Sequence, residues 1–343
     1  MAKREINVAF TCIGFPMWSI LINAIRSVDE VNIRVVGMDT RKDIPAERYL
    51  DSFVNIPSGK SERYADTMLD ICKKEKINIF IPGADEEVFA ITKKLNDFLS
   101  SGIICTVPPP DKLSIFRDKI HVYDFLSENK IPVPPYIGVR TSEDLEKARD
   151  LIPIHDSKIV VKQPDLRGGR GVFLVDVSKR GKRNICERNG MMTVPFSDML
   201  ELINNTNVTF LAMEYLIGNF YDVDVLSNHG LPIYLIPRRR FNSHGIPWTS
   251  NEITYNKRMI ETSERISNLL NLHYLFDFDM FESGDVVYPL EVNPRASGSA
   301  CASISAGINL YADLIRLILN IPIKSREIPF GKKIYPKLEM HVK

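Results

Sequence analysis

Short apolar runs at 6–11, 33–38, 77–81 and 103–107 alternate with longer stretches whose apolar positions recur at helical spacing. Strands separated by amphipathic helices predict a parallel sheet wrapped by helices. Three consecutive prolines at 108–110 punctuate its end, and the first domain boundary is placed near 112. Residues 111–129 then read as one or two helices, closed by the proline-rich run 130–135. Beyond Tyr136 the pattern changes to strand 158–162, a glycine loop, strand 172–177, helix 196–204 and strand 208–215, a small α+β lid spanning about 136–214. From 215 to 343 longer strands at 222–227 and 231–237, a helix at 257–270, a hairpin at 276–281 and 286–292, and a closing helix at 310–319 predict a larger antiparallel sheet with helices.

The hairpin carries the densest chemistry. Asp279 on its first arm is followed by Glu291-Val292-Asn293-Pro294-Arg295 on its second. Alternation in a strand points Glu291, Asn293 and Arg295 the same way. Magnesium takes hard oxygen ligands and keeps waters, so Asp279, Glu291 and Asn293 form a candidate metal set for magnesium, with manganese as a substitute. Arg295 remains to grip a planar anion. Loop length decides whether Asp279 shares the face of Glu291. A two-residue loop of Ser283 and Gly284 separates them; a three-residue loop, or an equivalent bulge, brings them together, and this is the expectation.

A second group surrounds the glycine loop. The buried run Ile159-Val160-Val161 ends in Lys162 and is followed by Asp165-Leu166-Arg167-Gly168-Gly169-Arg170-Gly171. A cation beside a backbone that approaches closely suits polyphosphate. The GK[ST] ending of a Walker A loop is missing, and a single RGG-type segment inside folded β structure argues poorly for RNA. Arg238-Arg239-Arg240 ends another strand, and Arg240 is a candidate for a γ-phosphate or substrate carboxylate. Thr11 to Gly14 follows the first strand without the GxGxxG set, which makes NAD a weak reading.

In order along the chain, Lys119 ahead of a helix, Val160-Val161-Lys162 with its glycine loop, Met213-Glu214-Tyr215-Leu216-Ile217-Gly218, Asp279 and the Glu291 to Arg295 run together resemble the ATP-grasp superfamily. The likeness is greatest to the large subunit of carbamoyl-phosphate synthetase and to single-unit carboxylate-amine ligases. It implies an N-terminal Rossmann-like α/β domain, 1–112, and a two-lobed ATP-grasp domain, 113–343, with lobes at about 136–214 and 215–343. It implies that Lys119 and Lys162 contact nucleotide phosphates under the loop of Gly168, Gly169, Arg170 and Gly171, and that Glu214, Tyr215 and Leu216 meet adenine. Asp279, Glu291 and Asn293 would hold magnesium, and Arg295, with Arg240 and Lys162, would serve the phosphoryl transfer. The family's ribose-binding acid is replaced by Asn219-Phe220, and Asp222 is the substitute expected for it. Only one ATP-grasp unit is present, so two successive phosphorylations at separate sites are not available within the chain.

The activity implied is ATP-dependent phosphorylation of an organic acid or bicarbonate, then joining of the acyl phosphate to an amine or ammonia. The competing reading is an ATP-binding or sensing subunit without turnover. Charge narrows the partners: 44 basic against 43 acidic residues, net +1, gives no bulk attraction to nucleic acid. Five cysteines without a CxxC fit reduced thiols and a cytoplasmic setting. No apolar run approaches the roughly 18 residues of a membrane span. A homodimer is plausible from the resemblance alone.

Overall fold

The computed structural model describes residues 3–166, 171–178, 184–185, 192–241, 250–324 and 326–337. Three sheets follow one another along the chain. The first is parallel, in the order β3-β2-β1-β4-β5, from β1 (Glu5–Phe10), β2 (Asn32–Asp39), β3 (Ser52–Asn55), β4 (Ile79–Ile81) and β5 (Ile104–Cys105). Helices α1 (Trp18–Arg26), α2 (Tyr64–Lys74), α3 (Asp85–Lys93) and α4 (Leu95–Ser100) make its crossovers and ends. Edge strand β3 escapes the sequence pattern, because three of its four residues are only half-buried, Asn55 is exposed, and it carries no long run of apolar side chains.

After short helical turns, α5 (Lys119–Glu128) begins at Asp118, whose carboxylate accepts from the amides of Ile120 and His121. The lid sheet then runs β6-β11-β7-β8-β10-β9, from β6 (Tyr136–Val139), β7 (Lys158–Lys162), β8 (Val172–Asp176), β9 (Asn184–Ile185), β10 (Met192–Pro195) and β11 (Phe210–Glu214). Its own core of Val139, Leu145, Ile159, Val161, Met199 and Phe210 lies under α6 (Ser142–Leu151) and α7 (Phe196–Asn204). The sequence pattern misses β6 and α6, which precede the first strand expected there.

The third sheet is antiparallel, β16-β15-β12-β13-β14-β17. It comprises β12 (Asn219–Asn228), β13 (Leu231–Phe241), β14 (Ser250–Ile253), β15 (Tyr274–Ser283), β16 (Val286–Asn293) and β17 (Lys333–Ile334). Helices α8 (Lys257–Leu269), α9 (Cys301–Ala306) and α10 (Leu310–Ile318) accompany it. One core joins α1 and β1 to α10 and the third sheet through Leu21, Ile25, Phe10, Leu226, Leu310 and Leu314. At the rim of that contact Asn309 donates to Ser27 Oγ at 2.8 Å, and Arg316 meets Glu30 at 3.1 Å. The parallel domain is thereby seated on the third sheet.

The β15–β16 hairpin answers the register question with a bulge. Ser283 pairs with Val286, so the loop is the two residues Gly284 and Asp285, with Gly284 in the left-handed region (φ 55). A bulge then skips Leu290, so that Met280 pairs with Pro289 but Asp279 with Glu291. The three-residue loop is absent and the bulge supplies the shift, at the proline that cannot donate to the ladder.

Candidate active site

Cross-strand pairing assembles the site from distant sequence. Glu291, Asp279, Asp222 and Arg238 stand opposite one another on β16, β15, β12 and β13. One step along, Asn293, Asp277 and Asp224 form a second row. Directly paired residues share a face, so seven polar side chains converge on one surface of the sheet. Asp222, Asp224, Asp277, Asn293 and Arg238 are buried.

Burial makes every charge there depend on its neighbours. Arg238 is fully buried and is held through Nε and an NH2 group by the two oxygens of Asp224, each at 2.8 Å. Its remaining nitrogen donates to Asn251 at 2.8 Å, Ser299 at 3.1 Å and Asp222 at 3.4 Å. Arg240 grips Asp222 with both Nε and NH2 and reaches Asp279 at 3.4 Å. Burial opposes ionisation of Asp222, but Arg240 and Arg238 prevail and hold its carboxyl at about 2. Asp279 is pushed up to about 7 by burial, with Arg240 resisting and Asp222 and Glu291 adding repulsion. Asp277 is raised well above the usual carboxylate range by burial and by Asp222 and Asp279.

The structure corrects one sequence reading. Asp222, expected at a ribose hydroxyl, is wholly buried with its oxygens engaged by Arg240 and Arg238, and it joins the acidic rows instead. Arg238, two residues before the candidate Arg240 and assigned no role from the sequence, is the largest fully buried side chain among the described residues.

Two lysines approach the rows from the other side. Lys119, at the start of α5, donates to the Leu166 carbonyl at 2.7 Å and to Glu291 at 3.2 Å. Lys162, at the end of β7, is buried and donates to the hydroxyl of Tyr123 at 3.1 Å. Burial, then the charge of Lys119, lowers the Lys162 amine to about 7 against the pull of Glu291 and Asp279. Gly171 accepts from the Gln163 amide at 3.0 Å and closes the base of the glycine loop; Gly168, Gly169 and Arg170 lie outside the described residues.

Arg295 lies between the first domain and the third sheet, 3.5 Å from Asp85 at the start of α3 and 3.8 Å from Asp277. Glu214 ends β11, and Tyr215 and Leu216 lead to Gly218, where a Cβ would stand 1.9 Å from the Glu282 carbonyl. Only glycine permits that approach. Asp85, Asp277 and Asp224 were missed by the motif reading. Asp277-Phe278-Asp279 and Asp222-Val223-Asp224 nevertheless carry the signal, since period two puts both acids of each trio on one face.

The fit of a divalent cation is tested by the donor set. Asp222, Asp277 and Asp279 bring carboxylate oxygens within 4.8 Å of one another. One oxygen of Asp277 is buried without a hydrogen-bond partner among the described residues. Hard oxygen donors, crowded and incompletely neutralised, suit magnesium.

This fold and this cleft resemble those of ATP-grasp proteins. Residues 206–334 match the family model described as ATP-grasp in the biosynthetic pathway with Ter operon, and residues 19–106 match the PylC-like N-terminal domain. Among solved structures, N5-carboxyaminoimidazole synthetase from Staphylococcus aureus complexed with ADP is similar at 14% identity and a TM-score of 0.68, over 96% of this chain and 82% of that one. Biotin carboxylase from Campylobacter jejuni gives 15% and 0.69, over 94% and 73%. L-amino acid ligase from Bacillus licheniformis gives 15% and 0.62, over 92% and 74%. At such identities the likeness is one of fold. No curated protein matches the chain.

Proposed function

We propose that this protein is an ATP- and magnesium-dependent ligase that activates a carboxylate, an organic acid or bicarbonate, and joins it to an amine or ammonia. The observation that carries the reading is the meeting of the Glu291–Asp279–Asp222 row with Lys119, Lys162 and Arg295 in one cleft. The names of the structural neighbours, a synthetase, a carboxylase and a ligase, point the same way.

In this reading Asp279, Glu291 and Asn293 hold magnesium, with Asp277 and Asp222 beside them. When bound, the ion draws charge from the transferring phosphoryl group. Lys119 and Lys162 neutralise the phosphates, and the Glu214 to Leu216 segment receives adenine. A carboxylate oxygen of the substrate attacks the terminal phosphorus and ADP leaves. The amine nitrogen then attacks the acyl carbon, phosphate departs, and the nitrogen loses its proton. Arg295 and Arg240 orient the carboxylate and stabilise negative charge as it shifts, which is catalysis by positioning and electrostatics. No covalent enzyme intermediate is required.

Among the described residues no helix is long and apolar enough to cross a membrane. A cytoplasmic homodimer, with the first domain ending near 112, is part of the proposal. The test is ADP release with magnesium-ATP while acids and amines are varied in pairs. Release that rises only when a matching acid and amine are both present supports the ligase. Release indifferent to every acceptor favours an ATP-sensing subunit.

A further inference from the structure

The segment that ends the lid sheet carries a partner that the sequence motifs do not include. Glu214 pairs with Ile159 at the edge of the lid, and its amide donates to the Pro135 carbonyl at 3.1 Å. The turn leading into β7 comes back over it. Asp156 and Ser157 are both left-handed, with φ of 51 and 59, and Lys158 donates to the His155 carbonyl at 2.8 Å. Two consecutive left-handed non-glycine residues are strained, and such strain persists where the surroundings demand it. Its result is that His155 Nε2 lies 2.8 Å from Glu214 Oε1. The carboxylate is largely covered, with 13% of its side chain exposed, whereas His155 is 44% exposed. Lys158, from the same turn, lies 5.9 Å from the ring centre of Tyr215. The turn therefore grips two successive residues of the segment, and Glu214 also acts on Tyr288 of the third sheet, whose hydroxyl is raised by burial and then by that carboxylate.

We propose that His155 is a positioning residue for the nucleotide: it fixes the Glu214 carboxylate so that its second oxygen faces the exocyclic amine of a bound adenine. The inference rests on the reading of Glu214 to Leu216 as the adenine contact. An ionised carboxylate only accepts hydrogen bonds. Adenine offers it an amino donor, and guanine presents a carbonyl acceptor at the same ring position. A Glu214 held in place therefore selects adenine over guanine, and a Glu214 free to turn toward water does so less. His155 supplies the hold from the lid, outside the phosphate-binding and metal-binding groups.

The experiment compares wild type, His155→Ala, His155→Gln and Glu214→Gln in magnesium buffer. Binding of ATP and GTP is measured by calorimetry, and kcat and KM by ADP release. His155→Ala should weaken ATP binding and raise its KM by roughly fivefold, the scale of a partly exposed pair, with kcat unchanged and the preference for ATP over GTP narrowed. His155→Gln, whose amide donates to the same oxygen, should recover most of the loss. Unchanged ATP binding in His155→Ala overturns the inference and leaves the ligase reading standing. Equal losses in the Ala and Gln variants, matched by equal losses of thermal stability, overturn it in favour of a purely structural turn. A wild type with no affinity for ATP overturns both.

Discussion

Glu291 touches both halves of the site, accepting from Lys119 at 3.2 Å while it faces Asp279 across the hairpin. Glu291→Gln keeps the shape and removes the charge. If Glu291 holds the ion, ADP release in this variant should fall by roughly 10²- to 10³-fold, the loss typical of a group acting on transition-state charge, while the fold is kept. Steady-state kinetics beside a melting curve separate the two effects. The pH dependence of the apo protein follows from two neighbours. Asp279, raised to about 7 from 3.8, binds its proton more tightly when folded, so its contribution falls as pH rises from about 4 to 7. Lys162, lowered to about 7 from 10.5, is more protonated when unfolded, so its contribution rises between pH 7 and about 10.5. Chemical denaturation across pH should show the falling arm flattened in Asp279→Asn and the rising arm flattened in Lys162→Met. Individual charged residues were legible where they formed local motifs, as at Glu291 to Arg295. Arg238 was not, because its burial depends on Asp224 across a strand pair and on Ser299 some sixty residues away.

At the scale of elements, the hairpin separates what a sequence shows from what a sheet decides. Alternation placed Glu291 and Asn293 on one face, but whether Asp279 shared it depended on a single extra residue, and the extra residue is the bulged Leu290 rather than a longer turn. Its proline neighbour was the visible signal. The parallel strands β1, β2, β4 and β5 of the first domain were legible because they lie in nearly continuous apolar runs, as expected of a sheet covered on both faces. The short β3, β14 and β17 were not, since their two to four residues lie in no longer apolar run that would mark them. The segment joining lid and third sheet makes its own prediction. Gly218→Ala would drive a Cβ to 1.9 Å from the Glu282 carbonyl, and the chain must move to relieve it. The variant should lose about 2 kcal/mol or more of stability, read as a lower urea midpoint, together with weaker ATP binding.

At the scale of the molecule, the first domain contributes to the cleft through Asp85, which meets Arg295 at 3.5 Å. Nothing local to the Gly83-Ala84-Asp85 run announces that contact, because it spans more than two hundred residues of chain. Asp85→Ala should leave Arg295 less constrained and lower kcat/KM for the acceptor by about tenfold, with ATP affinity little changed, as measured by ADP release against acceptor concentration. The overall order of domains was legible because motifs recur in a fixed sequence. The acceptor was not, because a cleft between two domains is built from loops and strand ends with no shared periodicity.

The most direct measurement is thermal unfolding of the wild type and of Glu291→Gln with magnesium-ATP, with ATP lacking magnesium, and with NAD. At a hundredfold excess over its dissociation constant a specific ligand adds about 2.7 kcal/mol, a rise of several degrees for a chain of this size. The expected result is a rise with magnesium-ATP in the wild type, smaller without magnesium and in Glu291→Gln, and absent with NAD. No rise with millimolar magnesium-ATP, or a larger one with NAD, would contradict a magnesium-nucleotide site in this cleft.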